Sequence, residues 1–129
     1  MRGSAACSSE TYAPRQKASV PDLATQWRPK VIARINNYLV KIGKLKGDFV
    51  WHKHEDTDEL FLVNNGVLRV DLREGSIHLR KGQMFIMPKG LEHMTHADEE
   101  CELIMFEPET TLKTGDVRGE KTVETLEWI

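Results

Sequence analysis

Short apolar runs, separated by residues typical of turns, follow one another through the middle of this sequence and limit the folds open to it. No long run has the apolar spacing of a helix. The turn signals include Asn36-Asn37, Asn65-Gly66 and Glu74-Gly75, and Asn-Gly between alternating runs predicts a hairpin. An acidic turn is expected at residues 98–100. The runs, which predict about nine strands, are VIARI, YLVKIGKL, FVWHKH, ELFLV, VLRVDLR, SIHLR, QMFIM, HMTHA and CELIMFE. This succession favours an all-β sandwich or barrel.

Length and charge narrow the class of protein. A chain of 129 residues is long enough for one domain. The formal net charge of −2, with 29% charged residues, gives no reason to expect a nucleic-acid partner. No apolar run is long enough to cross a membrane, and the N-terminus lacks the pattern of a signal peptide. Cys7 and Cys101 lie far apart and predict no disulfide framework. We therefore expect a cytoplasmic protein without membrane contact.

Three segments are predicted along the chain. Residues 1–30 read as an N-terminal arm, because their first part is rich in Ser, Ala, Thr and Pro. Its opening, MRGS, resembles an expression-vector leader and is set aside for fold reasoning. Residues 31–107 form the β-barrel domain, and 108–129 form a C-terminal tail. Leu126, Trp128 and Ile129 are expected to pack the tail onto the barrel or a partner chain.

Two histidines interrupt the apolar runs. His52 and His54 point to the same face of a strand, because side chains alternate along it. A pair of this kind is more often a surface feature than a metal site, and the acids of EDTDE are compatible with a solvated turn. Glu59, however, opens the next strand, and His93 opens a later one. Three imidazoles and one carboxylate suit a divalent first-row transition metal, such as Mn, Fe, Ni or Zn.

The spacing around these residues resembles the two motifs of the cupin superfamily. Gly47, His52-x-His54, Glu59 and Gly66 match the first, with four residues between Gly47 and His52 where five are usual. The second is matched by Gly82, Pro88-x-Gly90 and His93, and ends in Ala97 where the superfamily has Asn.

The resemblance extends over about residues 31–107 and reaches the small, single-domain cupins described as mannose-6-phosphate-isomerase-like. It implies a double-stranded β-helix, or jelly-roll barrel, with arm and tail outside it. It also implies one metal inside the barrel, bound by His52, His54, Glu59 and His93.

Other functional residues are weaker candidates. Tyr38, Glu92 and His96 are considered as catalytic groups, although alternation sends His96 to the opposite face from His93. Two hypotheses on function stay open. One is a metal-dependent enzyme, of isomerase, lyase or dioxygenase type, acting on a small polar or acidic molecule. The other is a non-catalytic, metal-dependent module that binds or senses a small ligand. A homodimer is expected in either case, as is common for small cupins.

Overall fold

The computed structural model describes residues 29–110 and 127–128, and within them every regular element is a β-strand. No helix in this part of the chain is long and apolar enough to cross a membrane. The strands are β1 Lys30–Ile35, β2 Tyr38–Asp48, β3 Glu59–Asn65, β4 Val67–Leu72, β5 Gly75–Arg80, β6 Met84–Met87, β7 His93–Pro108 and β8 Glu127–Trp128. The prediction of an all-β fold is confirmed for these residues.

The 16-residue strand β7 organises the sheet. One edge of β7 pairs antiparallel with β2 along nearly its whole length, from Tyr38↔Pro108 to Asp48↔His96. The other edge pairs with β3 over its second half and with β4 over its first half. Further strands extend these two halves, since β6 pairs with β3 and β5 pairs with β4. On this edge the sheet therefore divides into two halves, β3 with β6 and β4 with β5, which follow one another along β7.

The two halves pack face to face. Their inward side chains form one apolar cluster of Phe61, Val63, Leu68, Val70, Leu79, Met87, Ala97, Cys101 and Leu103. Members come from β3 and β6 on one half and from β4 and β5 on the other, so the core lies between the halves. Cys101 is fully buried, as expected for a small apolar side chain, and this burial raises the pKa of its thiol to about 11.

The predicted hairpin at Asn65-Gly66 is wrong. Strands β3 and β4 do not pair with each other; both pair antiparallel with β7. Gly66, at φ 88°, is where the chain passes from one half of β7 to the other. A Cβ at Gly66 would lie 2.9 Å from the carbonyl oxygen of Glu100. Close approach to β7, rather than a tight turn, is what requires glycine here.

The predicted acidic turn at residues 98–100 is also wrong, because these residues lie inside β7. Partners of β2 jump from Leu45↔Cys101 to Gly47↔Ala97, so the acidic triplet is accommodated as a bulge in a continuous strand. Its side chains are exposed, which explains why the sequence there reads as a turn. The hairpin at Asn36-Asn37 is confirmed, with Ile35↔Tyr38 closing it and Asn36 at φ 54°. Leu72↔Gly75 closes the β4–β5 hairpin.

The run FVWHKH does not form the strand that its composition predicts. It contributes one isolated bridge, between His52 and His93, and a hydrogen bond from the Phe49 amide to the Thr95 carbonyl. The short tail strand β8 pairs parallel with β1 through Lys30↔Glu127 and Val31↔Trp128. Residues 1–28, 111–126 and 129 lie outside the described residues, so the arm and the packing of the Leu126, Trp128 and Ile129 side chains stay predictions.

Candidate metal centre

His52 and His93 are held together by their main chains. The His52 amide donates to the His93 carbonyl, the His93 amide donates to the His52 carbonyl, and both distances are 2.9 Å. The two imidazole rings lie 4.3 Å apart between centroids. Residues distant in sequence are thus fixed side by side before any ligand is considered.

His54 completes a cluster of three imidazoles. Its ring centroid lies 5.0 Å from that of His52 and 5.8 Å from that of His93. The loop of the second motif fixes its backbone, because the Gly90 amide donates a 2.7 Å hydrogen bond to the His54 carbonyl. All three histidines are buried, and one ring nitrogen from each lies within 4.8 Å of the others.

Two of the rings are oriented by backbone carbonyls. Nδ1 of His52 lies 2.8 Å from the Val50 oxygen, and Nδ1 of His93 lies 2.9 Å from the Leu91 oxygen. A proton on each Nδ1 satisfies these contacts and assigns Nε2 as the basic nitrogen. This arrangement of hydrogen bonds is the one found for metal-binding histidines.

Glu59 lies beside the imidazoles, at the start of β3. Its Oε1 is 3.2 Å from Nε2 of His54 and 3.9 Å from Nε2 of His93. That oxygen is buried, and no hydrogen bond from the described residues satisfies it. Burial raises the pKa of Glu59, while a hydrogen bond with Glu107 and the charge of Lys41 oppose the rise.

The three imidazoles fit a metal ion, and the Glu59 carboxylate adjoins two of them. Atoms bound to one first-row ion at about 2.1 Å lie within about 4.2 Å of one another. The imidazole nitrogens, within 4.8 Å, come close to this limit. Neutral imidazoles with one carboxylate form a donor set that suits Mn, Fe, Ni or Zn. The cluster could therefore hold a divalent transition metal.

A buried ion pair adjoins the cluster, and the sequence reading missed it. Lys41 Nζ lies 2.6 Å from Glu107 Oε1, and both side chains are almost fully buried. Burial, followed by the charge of Glu59 and a hydrogen bond with it, raises the pKa of Glu107 well above its ordinary range. Strand alternation in YLVKIGKL, which places Lys41 inward between Leu39 and Gly43, was the available signal.

The three weaker candidates for catalytic groups lie outside the histidine cluster. Tyr38 is 40% exposed at the β1–β2 turn. Glu92 is exposed and pairs with Arg73 at 3.2 Å. His96 contacts Asp48 at 2.6 Å and Asp98 at 2.7 Å. Their catalytic roles stay predictions without support from this geometry.

A small cavity opens beside the cluster. It has a volume of about 50 Å³, which is room for a few water molecules or a small ligand. His52, Glu59 and Thr95 contribute polar groups to its wall. The residues that form the rest of the lining are Pro29, Gly43, Lys44, Leu45, Phe49, Phe61, Leu103 and Met105. The cluster thus faces a mainly apolar space.

Comparison with known proteins decides the family. The cupin domain profile matches residues 39–107, more than half of the chain. This chain belongs to the cupin family. The superfamily resemblance and the jelly-roll fold predicted from the motifs are confirmed, whereas the narrower mannose-6-phosphate-isomerase-like resemblance stays a prediction.

Three other proteins are similar to this cupin in sequence or in structure. A cupin-2 domain protein of Shewanella frigidimarina has a crystal structure that matches with a TM-score of 0.70 and 39% identity, covering 78% of this chain and 99% of that one. Protein NMB1881 of Neisseria meningitidis matches with a TM-score of 0.63 and 29% identity, covering 69% and 91%. The uncharacterized protein YdbB of Bacillus subtilis is 33% identical over 67 residues, which are 51% of this chain and 59% of YdbB. This cupin therefore matches less than two thirds of the length of YdbB.

Proposed function

We propose that this cupin binds one divalent transition metal through His52, His54, Glu59 and His93, and that it acts there as an enzyme on a small polar or acidic molecule. The observation that carries the proposal is the cluster of three buried imidazoles, with one carboxylate oxygen 3.2 Å from Nε2 of His54 and 3.9 Å from Nε2 of His93. They come from separate segments of the chain and adjoin a cavity.

The side chains around the cluster have distinct roles in this proposal. A bound metal would supply Lewis-acid or redox chemistry to the site. The carbonyls of Val50 and Leu91 orient the rings of His52 and His93. Apolar residues of the cavity wall, such as Phe61 and Met105, limit the access of water. The hydroxyl of Thr95, on the same wall, can hydrogen-bond to a substrate oxygen.

Charge indicates the class of substrate. One carboxylate against a divalent cation leaves an excess positive charge at the site. The buried ion pair of Lys41 and Glu107 adds one charge of each sign and so leaves that excess unchanged. A positive site in apolar surroundings favours an anionic oxygen. We therefore expect small α-hydroxy or α-keto acids, or uronate-type sugars, in an isomerase, lyase or dioxygenase reaction.

A non-catalytic module that binds or senses a small ligand is the alternative. The cavity favours it to some extent, because a mainly apolar wall with few polar groups is typical of ligand-binding sites in general. Both functions require the metal and the small ligand. They differ in whether the bound molecule is converted.

Metal analysis is the first test. Protein purified without added metal should contain about one divalent ion per chain. The His52→Ala/His54→Ala variant should lose that ion and keep its β-rich circular dichroism. His78→Ala, at an exposed position of β5, is the matched control and should keep the metal. A double variant that retains its metal would show that the site has been assigned wrongly.

Ligand class and turnover are tested next. Calorimetric titration of the metal-loaded protein with matched pairs of an acid and its neutral sugar should show tighter binding of the acid. Oxygen-uptake and sugar-isomer assays on the same preparation separate the enzyme from the binding module. Tenfold tighter binding of the neutral member would contradict the charge argument.

The homodimer is likewise a proposal. Met84 and Ile86 are 63% and 48% exposed on strand β6, which pairs only with β3 among the described strands. Light scattering of the full chain, and of chains lacking residues 1–20 or 120–129, measures the state of association. We expect the C-terminal deletion, which removes β8, to have the larger effect.

A further inference from the structure

The outer side of the sheet is apolar along β6, β3, β7 and β2. Alternate residues of β3, β6 and β7 belong to the core, so the residues between them point outward. Strand pairing aligns these outward residues in rows that cross all four strands. One row is Ile86, Leu60, Phe106 and Val40, and the next is Met84, Leu62, Ile104 and Ile42. No charged side chain interrupts either row on these strands.

The same surface continues onto the β1–β2 hairpin. Pairing adds a third row of Pro108, Tyr38 and Ile35, and Ala33 lengthens the row that contains Val40. We call these three rows the apolar face. Polar residues border it at the opposite end, where Lys44 pairs with Glu102 and Asn64 donates to Glu102 at 3.0 Å. Lys30 ends the row of Ile42 at β1.

Large side chains of the apolar face are open to solvent. Met84 is 63% exposed, Ile35 51%, Ile86 48% and Tyr38 40%. Among the exposed large hydrophobic residues of the described chain, only Val67 and Leu91 lie elsewhere. Monomeric proteins rarely expose a contiguous apolar surface of this kind, which is typical of a contact with another molecule.

The other half of the sheet provides an internal comparison. On β4 and β5 the outward positions carry charged and polar residues, with Arg69 paired to His78 and Asp71 paired to Ser76. That is the usual composition of a sheet face in contact with water. The apolar face is therefore a local feature of β6, β3, β7 and the β1–β2 hairpin, and it is not required by the barrel fold.

We propose that two copies of this chain associate through their apolar faces, packed face to face about a two-fold axis. The inference specifies the surface for the homodimer proposed above and does not depend on the metal centre. Two sheets pack through their apolar faces at about 10 Å, and a two-fold axis covers the same surface on both copies at once. A second copy fits because the face has no charge with which to select a charged partner.

The size of the apolar face agrees with this occupant. At about 4.8 Å between strands and about 6.8 Å between rows, the three rows extend over about 400 Å². An ordinary dimer interface buries about 800 Å² on each partner and is about 60% apolar. The face thus comes close to the apolar area that one partner contributes, and its polar border matches the rim of such an interface.

Charged substitutions on the apolar face test the proposal. In Met84→Glu/Ile86→Glu the dimer dissociation constant, measured by sedimentation of the full chain, should rise at least about 100-fold, because carboxylates would be buried without partners. Tyr38→Glu, on the far side of the same face, should raise it at least about tenfold. Val67→Glu is the matched control, since Val67 is 38% exposed on the outer side of β4. Its dissociation constant should stay within about threefold of that of the unaltered chain.

Oxidation of Met84 gives a second measurement. Peroxide converts exposed methionine to the sulfoxide, and a covered side chain reacts more slowly. Oxidation of Met84 in the unaltered chain should therefore slow as the protein concentration rises through the dissociation constant. In Tyr38→Glu the same slowing should require a higher concentration. A rate independent of concentration in a dimeric chain would show that the dimer leaves Met84 uncovered, and would overturn the proposal.

The remaining outcomes separate the surface from the association itself. A monomeric unaltered chain would overturn both the homodimer and this role of the apolar face. A dimer that Met84→Glu/Ile86→Glu leaves unchanged would overturn the role of the face alone. Weakening by the double variant but not by Tyr38→Glu would place the contact along the β6 edge and overturn the face-to-face arrangement. Should circular dichroism show that the double variant does not fold, Tyr38→Glu decides, and an unchanged dissociation constant overturns the proposal.

Discussion

The main chains of His52 and His93 exchange two hydrogen bonds of 2.9 Å, and their imidazole rings lie 4.3 Å apart. This bridge is formed by backbone atoms, so it survives replacement of either side chain. Replacing either imidazole should therefore remove the contact between the rings and leave the backbone bridge in place.

His93→Ala should reduce affinity for a divalent metal by more than about 100-fold, because a ligand contributes more than the groups that support it. The backbone bridge should preserve the fold. His96→Ala is the matched control on the same strand, since its ring bonds to Asp48 and Asp98 instead. Competition with a chelator measures both affinities. Equal losses in the two variants would contradict the site.

Glu107→Met should lower the free energy of unfolding of the metal-free protein by about 3–5 kcal/mol, because it leaves the buried Lys41 ammonium without its carboxylate. Addition of Lys41→Met should recover most of this loss. Glu92→Gln breaks the exposed pair with Arg73 and should change stability by less than about 0.5 kcal/mol. Urea denaturation in the presence of a chelator measures all three. If Glu107→Met were as stable as the control Glu92→Gln, the buried pair would contribute nothing to the free energy of unfolding.

Gly66→Ala should destabilise the fold by about 3 kcal/mol or more. Its φ of 88° is unfavourable for alanine, and the new Cβ would lie 2.9 Å from the Glu100 oxygen and 3.1 Å from Cys101 Cα. Gly82→Ala has a similar φ of 83° but no atom within 4 Å, so only the backbone strain of about 1–2 kcal/mol is expected. The difference in thermal unfolding between the two variants measures the cost of the contact between the new Cβ and β7. Equal destabilisation would show that β7 moves to accept the methyl group.

His96 should make stability depend on pH. Hydrogen bonds to Asp98 and Asp48 raise its pKa above the ordinary 6.5, although nearby Arg69 opposes the rise. Asp98, whose pKa is lowered by His96, also faces His78. Because the folded pKa of His96 is raised, its stabilisation is complete below pH 6.5 and is lost as the pH rises through the raised value.

The difference in unfolding free energy between the unaltered metal-free chain and His96→Gln therefore shrinks as the pH rises above 6.5. His78→Gln, exposed on β5, controls for the loss of an imidazole from the same sheet face. Denaturation from pH 6 to 9 measures the difference. A difference that is constant over this range would contradict the imidazolium assignment.

Local patterns in the sequence were sufficient for most of the candidate centre. Alternation places His52 and His54 on one face, and the motif spacing selects Glu59 and His93 from the other acids and histidines. Both inferences depend on residues close in sequence or on a resemblance, and the structure brings these four residues together. The inward or outward direction of His96 was also predictable from its distance to His93.

The connection between β3 and β4 and the surroundings of Glu59 were decided by pairing between strands that are distant in sequence. The sequence around Asn65-Gly66 reads as a hairpin, yet β3 and β4 both pair with β7, because that long strand offers hydrogen bonds to each. Lys41 and Glu107 each read as one charged residue within an apolar run. Only the register of β2, β7 and β3 aligns them with Glu59, and register depends on contacts across the whole sheet rather than on neighbours along the chain.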